Sequence, residues 1–234
     1  MIPNDTIDKL AMCFASLSEL GQQLSEAQWK LPTECPGWTV QDNLSHIVAF
    51  ERVLNGHPAT THQAKGFDYI RNPIGASNEN EIDARRHLSG AEVLTEWNQT
   101  AAERLATLRS ADEAYYSTEM STPTGPGTIA DLLHIRVLDC WVHEQDMRSA
   151  LGVPGGRDSK AVEVGVGFFL NLIEVSDPPL FNELTSTAVS QWDILRSLTG
   201  RRTVDQMNSI GLNGEAIALH FPGSPFSLPK EAVE

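Results

Sequence analysis

Apolar positions recur at helical spacing at the start of the chain, where Ile7, Leu10, Phe14, Leu17 and Leu24 predict a helix over residues 6–28. A turn follows in "WKLPTECPGW" (29–38), with two prolines and a glycine in ten residues. Residues 39–56, "TVQDNLSHIVAFERVLNG", open on Thr39 with Asp42 three positions on and close on Gly56. Hydroxyl and acid at that spacing satisfy exposed amides of a first helical turn, so this is a capping box. Ser89 and Glu92 repeat it before "VLTEWNQTAAERLATL", and Thr128 and Asp131 repeat it before a helix that stops near Gly152 and Pro154. Residues 57–77 are rich in Pro, Gly, Asn and Thr and read as a long connection. "STPTGPGT" (121–128) reads as a breaker.

Residues 1–154 therefore predict four helices, most economically packed as an antiparallel four-helix bundle. Residues 155–234 form a small C-terminal part. Within it "SKAVEVGVGFFLNLIEV" is a helix or a strand pair, and "AVSQWDILRSLTGRRTVDQM" is helical on either side of Gly200. The fold class is mainly α, with that part helical or α+β.

The last bundle helix carries an anomaly. In "RVLDCWVHEQDMRSALGVP" (136–154) one stripe holds Arg136, Asp139, His143 and Asp146, bordered by Leu132, Cys140 and Met147. Positions four apart on a helix lie about 40° from one another and about 6 Å along the axis, so Asp139 and His143 are neighbours. An inward carboxylate without a partner costs several kcal/mol or shifts its pKa until it is neutral. Two explanations stay open on spacing alone: plain ion pairs, Asp139–His143 and Arg136–Asp139, or a divalent metal held by carboxylate and imidazole with a third ligand from another helix. His46, near the edge of the second helix's apolar face, is the candidate third ligand.

Composition narrows the partners. The chain has 234 residues, 41% hydrophobic and 21% charged, with a net charge of −14. That sign repels phosphate backbones and anionic lipid, so no nucleic-acid or membrane partner is expected, and small molecules are the natural class. No apolar run is long enough for a membrane span, and the acidic, polar opening "MIPNDTIDKLAMCF" lacks the pattern of a signal peptide. Three cysteines, Cys13, Cys35 and Cys140, in no paired spacing fit a reducing compartment, hence a cytoplasmic protein. It would be a monomer or homodimer.

"PTECPGWTVQDNLSHI" followed some ninety residues later by "DCWVHEQDMRSALGVP" resembles the mycothiol-dependent maleylpyruvate isomerase family, whose N-terminal domain is a DinB-like metal-binding four-helix bundle. The tail "LRSLTGRRTVDQM" resembles the ending of many members. The resemblance implies metal ligands at His46, Asp139 and His143, with Asp139 where the better-known isomerases have Glu; the shorter carboxylate leaves room for Asp146 or a water to share the role. It implies zinc, or nickel or another divalent ion, and mycothiol as a thiol cosubstrate whose sulfur is activated as thiolate. The thiolate would add to the double bond of a maleylpyruvate-like substrate, allowing rotation and loss of the thiol. A mycothiol S-transferase acting on electrophiles is the first alternative on the same site, and a non-enzymatic metal-binding or regulatory module the second. A dicarboxylate substrate calls for a cation: Arg201, given the catalytic role, or Arg202 by resemblance, Arg136 or Arg148 by proximity. Cys35 reads as packed or structural, and Trp38 as a plug at the bundle end.

Overall fold

The computed structural model describes all residues except 71, 223–225, 230 and 233–234. They form two compact units, Met1–Pro154 and Gly155–Glu234.

Four long helices build the first unit: α1 (Asn4–Gly21), α3 (Val40–Leu54), α5 (Gly90–Ser110) and α7 (Ile129–Leu151). Short helices α2 (Glu26–Trp29), α4 (Pro73–Asp83) and α6 (Glu113–Tyr116) lie between them. Helices α1 and α3 each pack on both α5 and α7, which closes a four-helix bundle. Its core takes Leu10, Phe14 and Leu17 from α1, Leu44 and Ile47 from α3, and Val93 and Trp97 from α5. Phe14 meets Trp97 edge to face, with centroids 4.8 Å apart. All three expected capping boxes are formed: at α3, Thr39 Oγ1 accepts from the Asp42 amide (3.2 Å) while Asp42 Oδ2 accepts from the Thr39 amide (2.9 Å).

Three local expectations are corrected. The helix expected over 6–28 ends at Gly21, and a capping box at Ser25 and Gln28 starts α2. The break folds Trp29 back between Gly21 and Gly90, where it is 2% exposed. The breaker at 121–128 is a hairpin, β1 (Glu119–Thr122) paired antiparallel with β2 (Gly125–Thr128) through Pro123-Thr124. The long connection ends earlier than expected, because Asn72 caps α4 through the Gly75 amide (2.8 Å) and Pro73 takes the first helical position.

The second unit is helical, with α8 (Lys160–Ser176), α9 (Pro178–Ser186), α10 (Gln191–Leu198), α11 (Val204–Ser209) and α12 (Gly214–Ala218). Among its described residues no strand occurs, so the stretch left as helix or strand pair is α8, packed on α9 and α10. No helix of the described residues is long and apolar enough to cross a membrane.

Gly90 is where packing leaves least room. A Cβ there would lie 2.1 Å from Trp29 ring atoms, and Trp29 has nowhere to go. Gly90→Ala is expected to cost about 1–3 kcal/mol, seen as a lower urea midpoint. An unchanged midpoint would show that the Trp29 ring is not held against this helix start.

Candidate metal centre

Helix α7 is enclosed on nearly every side: from Arg136 to Met147 every residue except Asp139 is buried. Its polar stripe therefore lies inside the bundle, and α3 supplies the complement. Three contacts set the register. His143 Nδ1 lies 2.7 Å from Asn43 Oδ1, Asp139 Oδ2 lies 3.3 Å from His46 Nε2, and the Arg136 guanidinium sits 4.2 Å from the Phe50 ring centre. Residue numbers rise along α3 as they fall along α7, so the two helices run antiparallel. Asn43, His46 and Phe50 are spaced three and four apart, hence on one face.

His46, Asp139 and His143 converge, with their donor atoms all within 4.8 Å of one another. His143 Nε2 lies 3.6 Å from Asp139 Oδ1, and the imidazole centroids are 4.8 Å apart. Two imidazoles and one carboxylate form a nitrogen–oxygen set suited to zinc or a similar divalent ion. Burial pushes His46 down, only partly offset by the pull of Asp139, so this imidazole is neutral and has a lone pair to give. Burial pushes the Asp139 carboxyl up, but the Arg136 guanidinium beside it counters that, and the carboxyl is held well below the usual carboxylate range. His46 and Asp139 are thus in the protonation states a cation requires.

Hydrogen bonds fix which nitrogen of His143 is available. Asn43 Nδ2 donates to the Thr39 carbonyl and to Thr33 Oγ1, both at 2.9 Å. A carbonyl can only accept, so the amide is oriented with Oδ1 toward His143. Nδ1 of His143 must then be the donor, so in the neutral ring Nε2, on the Asp139 side, carries the lone pair.

Arg136 fixes the carboxylate. Its Nη1 donates to Asp139 Oδ2 and its Nε to Glu51 Oε1, both at 2.7 Å, while Arg104 pairs with Glu51 Oε2 at 3.3 Å. Glu51, Arg104 and Arg136 are at most 1% exposed. Arg136 is therefore enclosed and committed to carboxylates of its own chain, which removes it as the cation for a substrate. Arg148 donates to Glu144 Oε1 (2.7 Å), on the side where α7 meets Ser16 of α1. Arg201 belongs to the second unit, where its Nη1 donates to the Thr199 carbonyl (2.6 Å). Arg202, also there, is buried and pairs with Asp193 at 3.3 Å.

Trp38, expected as a plug at the bundle end, lies against the donor cluster. Its ring lies over both imidazoles, with centroids 5.3 Å from His46 and 5.6 Å from His143. The indole donates to Glu79 Oε2 (3.1 Å), and Glu79 in turn accepts from Tyr69 and Arg86. Gly37, at φ +79°, brings the loop so close that a Cβ would lie 2.2 Å from the Tyr69 ring. Asp139 is the most exposed of the three donors, 27% against 7% and 10% for the histidine side chains, so its edge faces solvent. Asp146 lies elsewhere: its Oδ2 is 3.7 Å from His143 Nδ1, on the other edge of that ring from Asp139. Sequence reasoning missed Asn43 and Glu51; the one signal for Asn43 was its spacing three before His46.

A family model described as the mycothiol maleylpyruvate isomerase N-terminal domain matches residues 10–148. The chain belongs to this family. The matched region contains His46, Asp139 and His143. An uncharacterised protein found in two strains of Mycobacterium tuberculosis is 28% identical over 192 residues, covering 75% of this chain and 71% of that one. Two crystal structures of mycothiol-dependent maleylpyruvate isomerase, one of a histidine-to-alanine mutant, share the fold. Their TM-scores are 0.62 and 0.61 at 19% and 17% identity, covering 85% of this chain and 89% of theirs.

The charge network makes a stability prediction. Arg136→Met would leave Glu51 facing only Arg104 in a dry interior, and breaking a buried pair from one side costs about 3–5 kcal/mol. Urea unfolding of the mutant should show that loss; a change under about 1 kcal/mol would mean that Glu51 takes up a proton or finds water instead.

Proposed function

We propose that this protein is a metal-dependent enzyme that activates mycothiol, a low-molecular-weight thiol, for isomerisation of a maleylpyruvate-like substrate. The observation that carries the reading is the convergence of His46, Asp139 and His143, inside the family-matched region, on one half-open edge of a buried cluster. These three residues would hold a divalent ion, with zinc the best match to two imidazoles and a carboxylate. When bound, the ion favours the thiolate form of a coordinated thiol at neutral pH.

The protein's own residues do the rest. Asn43 keeps the proton of His143 on Nδ1, so that Nε2 stays available. Arg136 anchors Oδ2 of Asp139, which spares the short carboxylate from turning away. Trp38 shields one side of both imidazoles from water, leaving approach from the Asp139 edge. By the resemblance of the tail "LRSLTGRRTVDQM" to the ending of family members, we assign the carboxylates of the substrate to Arg201. In the reaction the thiol adds to one carbon of the cis double bond, the resulting single bond rotates, and elimination returns the thiol with the trans product.

Metal analysis of the purified protein tests the site. About one ion per chain is expected, falling to a small fraction in His46→Ala and in His143→Ala; unchanged content in both would sink the assignment. Incubating the metal-loaded protein with mycothiol and maleylpyruvate tests the chemistry. Isomerisation that requires the thiol is expected. A lasting thiol conjugate with a haloarene-type electrophile, without isomerisation, would assign a transferase instead, and turnover in neither case would point to a non-enzymatic module.

Arg201→Gln tests that assignment. It should raise KM for the dicarboxylate about tenfold or more, the loss of one charged hydrogen bond, and leave metal content unchanged. An unchanged KM would place the substrate carboxylates elsewhere.

A further inference from the structure

His143 has donors on both edges of its ring. Beyond the set on its Nε2 side, Cys35 Sγ lies 3.9 Å from His143 Nδ1 and 3.2 Å from Asp146 Oδ2, and those two atoms are 3.7 Å apart. Sulfur, nitrogen and oxygen ligands of one tetrahedral ion, at bond lengths of about 2.0–2.3 Å, sit about 3.3–3.8 Å from each other. The triangle of Cys35, His143 and Asp146 is thus within about 0.1 Å per edge of one face of a metal tetrahedron, and all three donors lie within 4.8 Å of one another. Cys35 is half-buried and reachable from solvent, whereas Asp146 and His143 are buried. The turn "TECPG" delivers the thiol here because Thr33 and Trp38 are tied across it, the Thr33 amide donating to the Trp38 carbonyl at 2.9 Å.

We propose that Cys35, His143 and Asp146 form a second, thiophilic metal site that takes soft divalent ions such as cadmium and excludes an ion from the first. The exclusion follows from the imidazole. A neutral ring has one lone pair. With the proton on Nδ1, donated to Asn43, Nε2 serves the set of His46 and Asp139. An ion at Nδ1 requires that proton to move to Nε2, where it points at Asp139 and removes a ligand from the first set. Binding at the second site releases one proton, from the Cys35 thiol, and breaks the bond to Asn43. Hard ions gain little from that exchange; an ion that favours thiolate gains a sulfur ligand the first set does not have, and the softer the ion the larger the gain. The other two thiols do not compete. Cys13 and Cys140 are buried, and burial pushes both well above the ordinary thiol range.

The binding claim stands on Cys35, His143 and Asp146 alone; the exclusion claim rests on the metal site proposed above. Titration of the metal-free protein with cadmium, followed by the thiolate-to-cadmium charge-transfer absorbance, addresses both. The wild type should show the band and saturate near one ion per chain. Cys35→Ser and Asp146→Asn should lose the band or weaken binding about tenfold or more, with far-ultraviolet circular dichroism unchanged to show that the bundle is intact. His46→Ala should keep the band, since it touches only the first set, so failure of the first site leaves this result standing. Cadmium should release zinc from the wild type and not from Cys35→Ser. A wild type without the band, or a band that survives Cys35→Ser, overturns the second site. Two ions bound together, with no zinc released, overturn the exclusion.

Discussion

Arg136 brings a full positive charge into the seam between α3 and α7, where an unpaired guanidinium would cost several kcal/mol. Two carboxylates answer it, Glu51 from α3 and Asp139 from α7 itself. The pairing with Glu51 crosses the seam and fixes the antiparallel register of the two helices; a slide of one turn would leave Arg136 with Asp139 alone and Glu51 with Arg104 alone. With that register, His46 falls opposite Asp139 and Asn43 opposite His143. The donor cluster is therefore a consequence of how one buried arginine is neutralised. Helix α7 tolerates this because it is covered on its other sides by apolar contacts, among them Leu133, Val137 and Trp141.

Much of this was legible in the sequence, for reasons that differ by residue. The capping boxes at Thr39, Ser89 and Thr128 are local chemistry, and local chemistry survives folding. The pairing of Asp139 with His143 follows from helix geometry alone. His46 could be named as a partner but not placed, since periodicity says which face a residue occupies and not which residue of another helix it meets. Glu51 illustrates the limit. An acid five positions after His46 reads as a solvated helix residue, and only the arrival of Arg104 and Arg136 from two other helices makes it a core residue.

The misreadings share one cause. Trp38 and the hairpin at Glu119–Thr128 both lie in segments where proline and glycine interrupt periodicity, so the sequence marks a turn without saying where it points. The turn at 32–39 folds over the ends of α3 and α7 and lays both Trp38 and Cys35 against the histidines. What reads as a connection is the wall of the cluster. Tyr69, within the stretch read as a long connection, and Glu79, two residues beyond it, hold that wall.

Asp139 and Asp146 were both plausible companions for His143, being four before and three after it on one stripe. The structure divides them between the two edges of the ring, Asp139 facing Nε2 and Asp146 facing Nδ1. The division matters because an imidazole is not symmetric once one nitrogen holds the proton. Asn43 decides the matter in the resting protein: its amide nitrogen is occupied by Thr33 and Thr39, so its oxygen must face Nδ1 and hold the proton there. A residue that touches neither a carboxylate nor the solvent edge thereby selects which of two acids shares the histidine's lone pair. Had the amide been free to rotate, its nitrogen could donate to Nδ1 instead, the proton would sit on Nε2, and the His46–Asp139 set would lose its third donor atom without any change in backbone. The hydrogen bonds at the start of α3 are thus part of the site, although they lie outside the donor set.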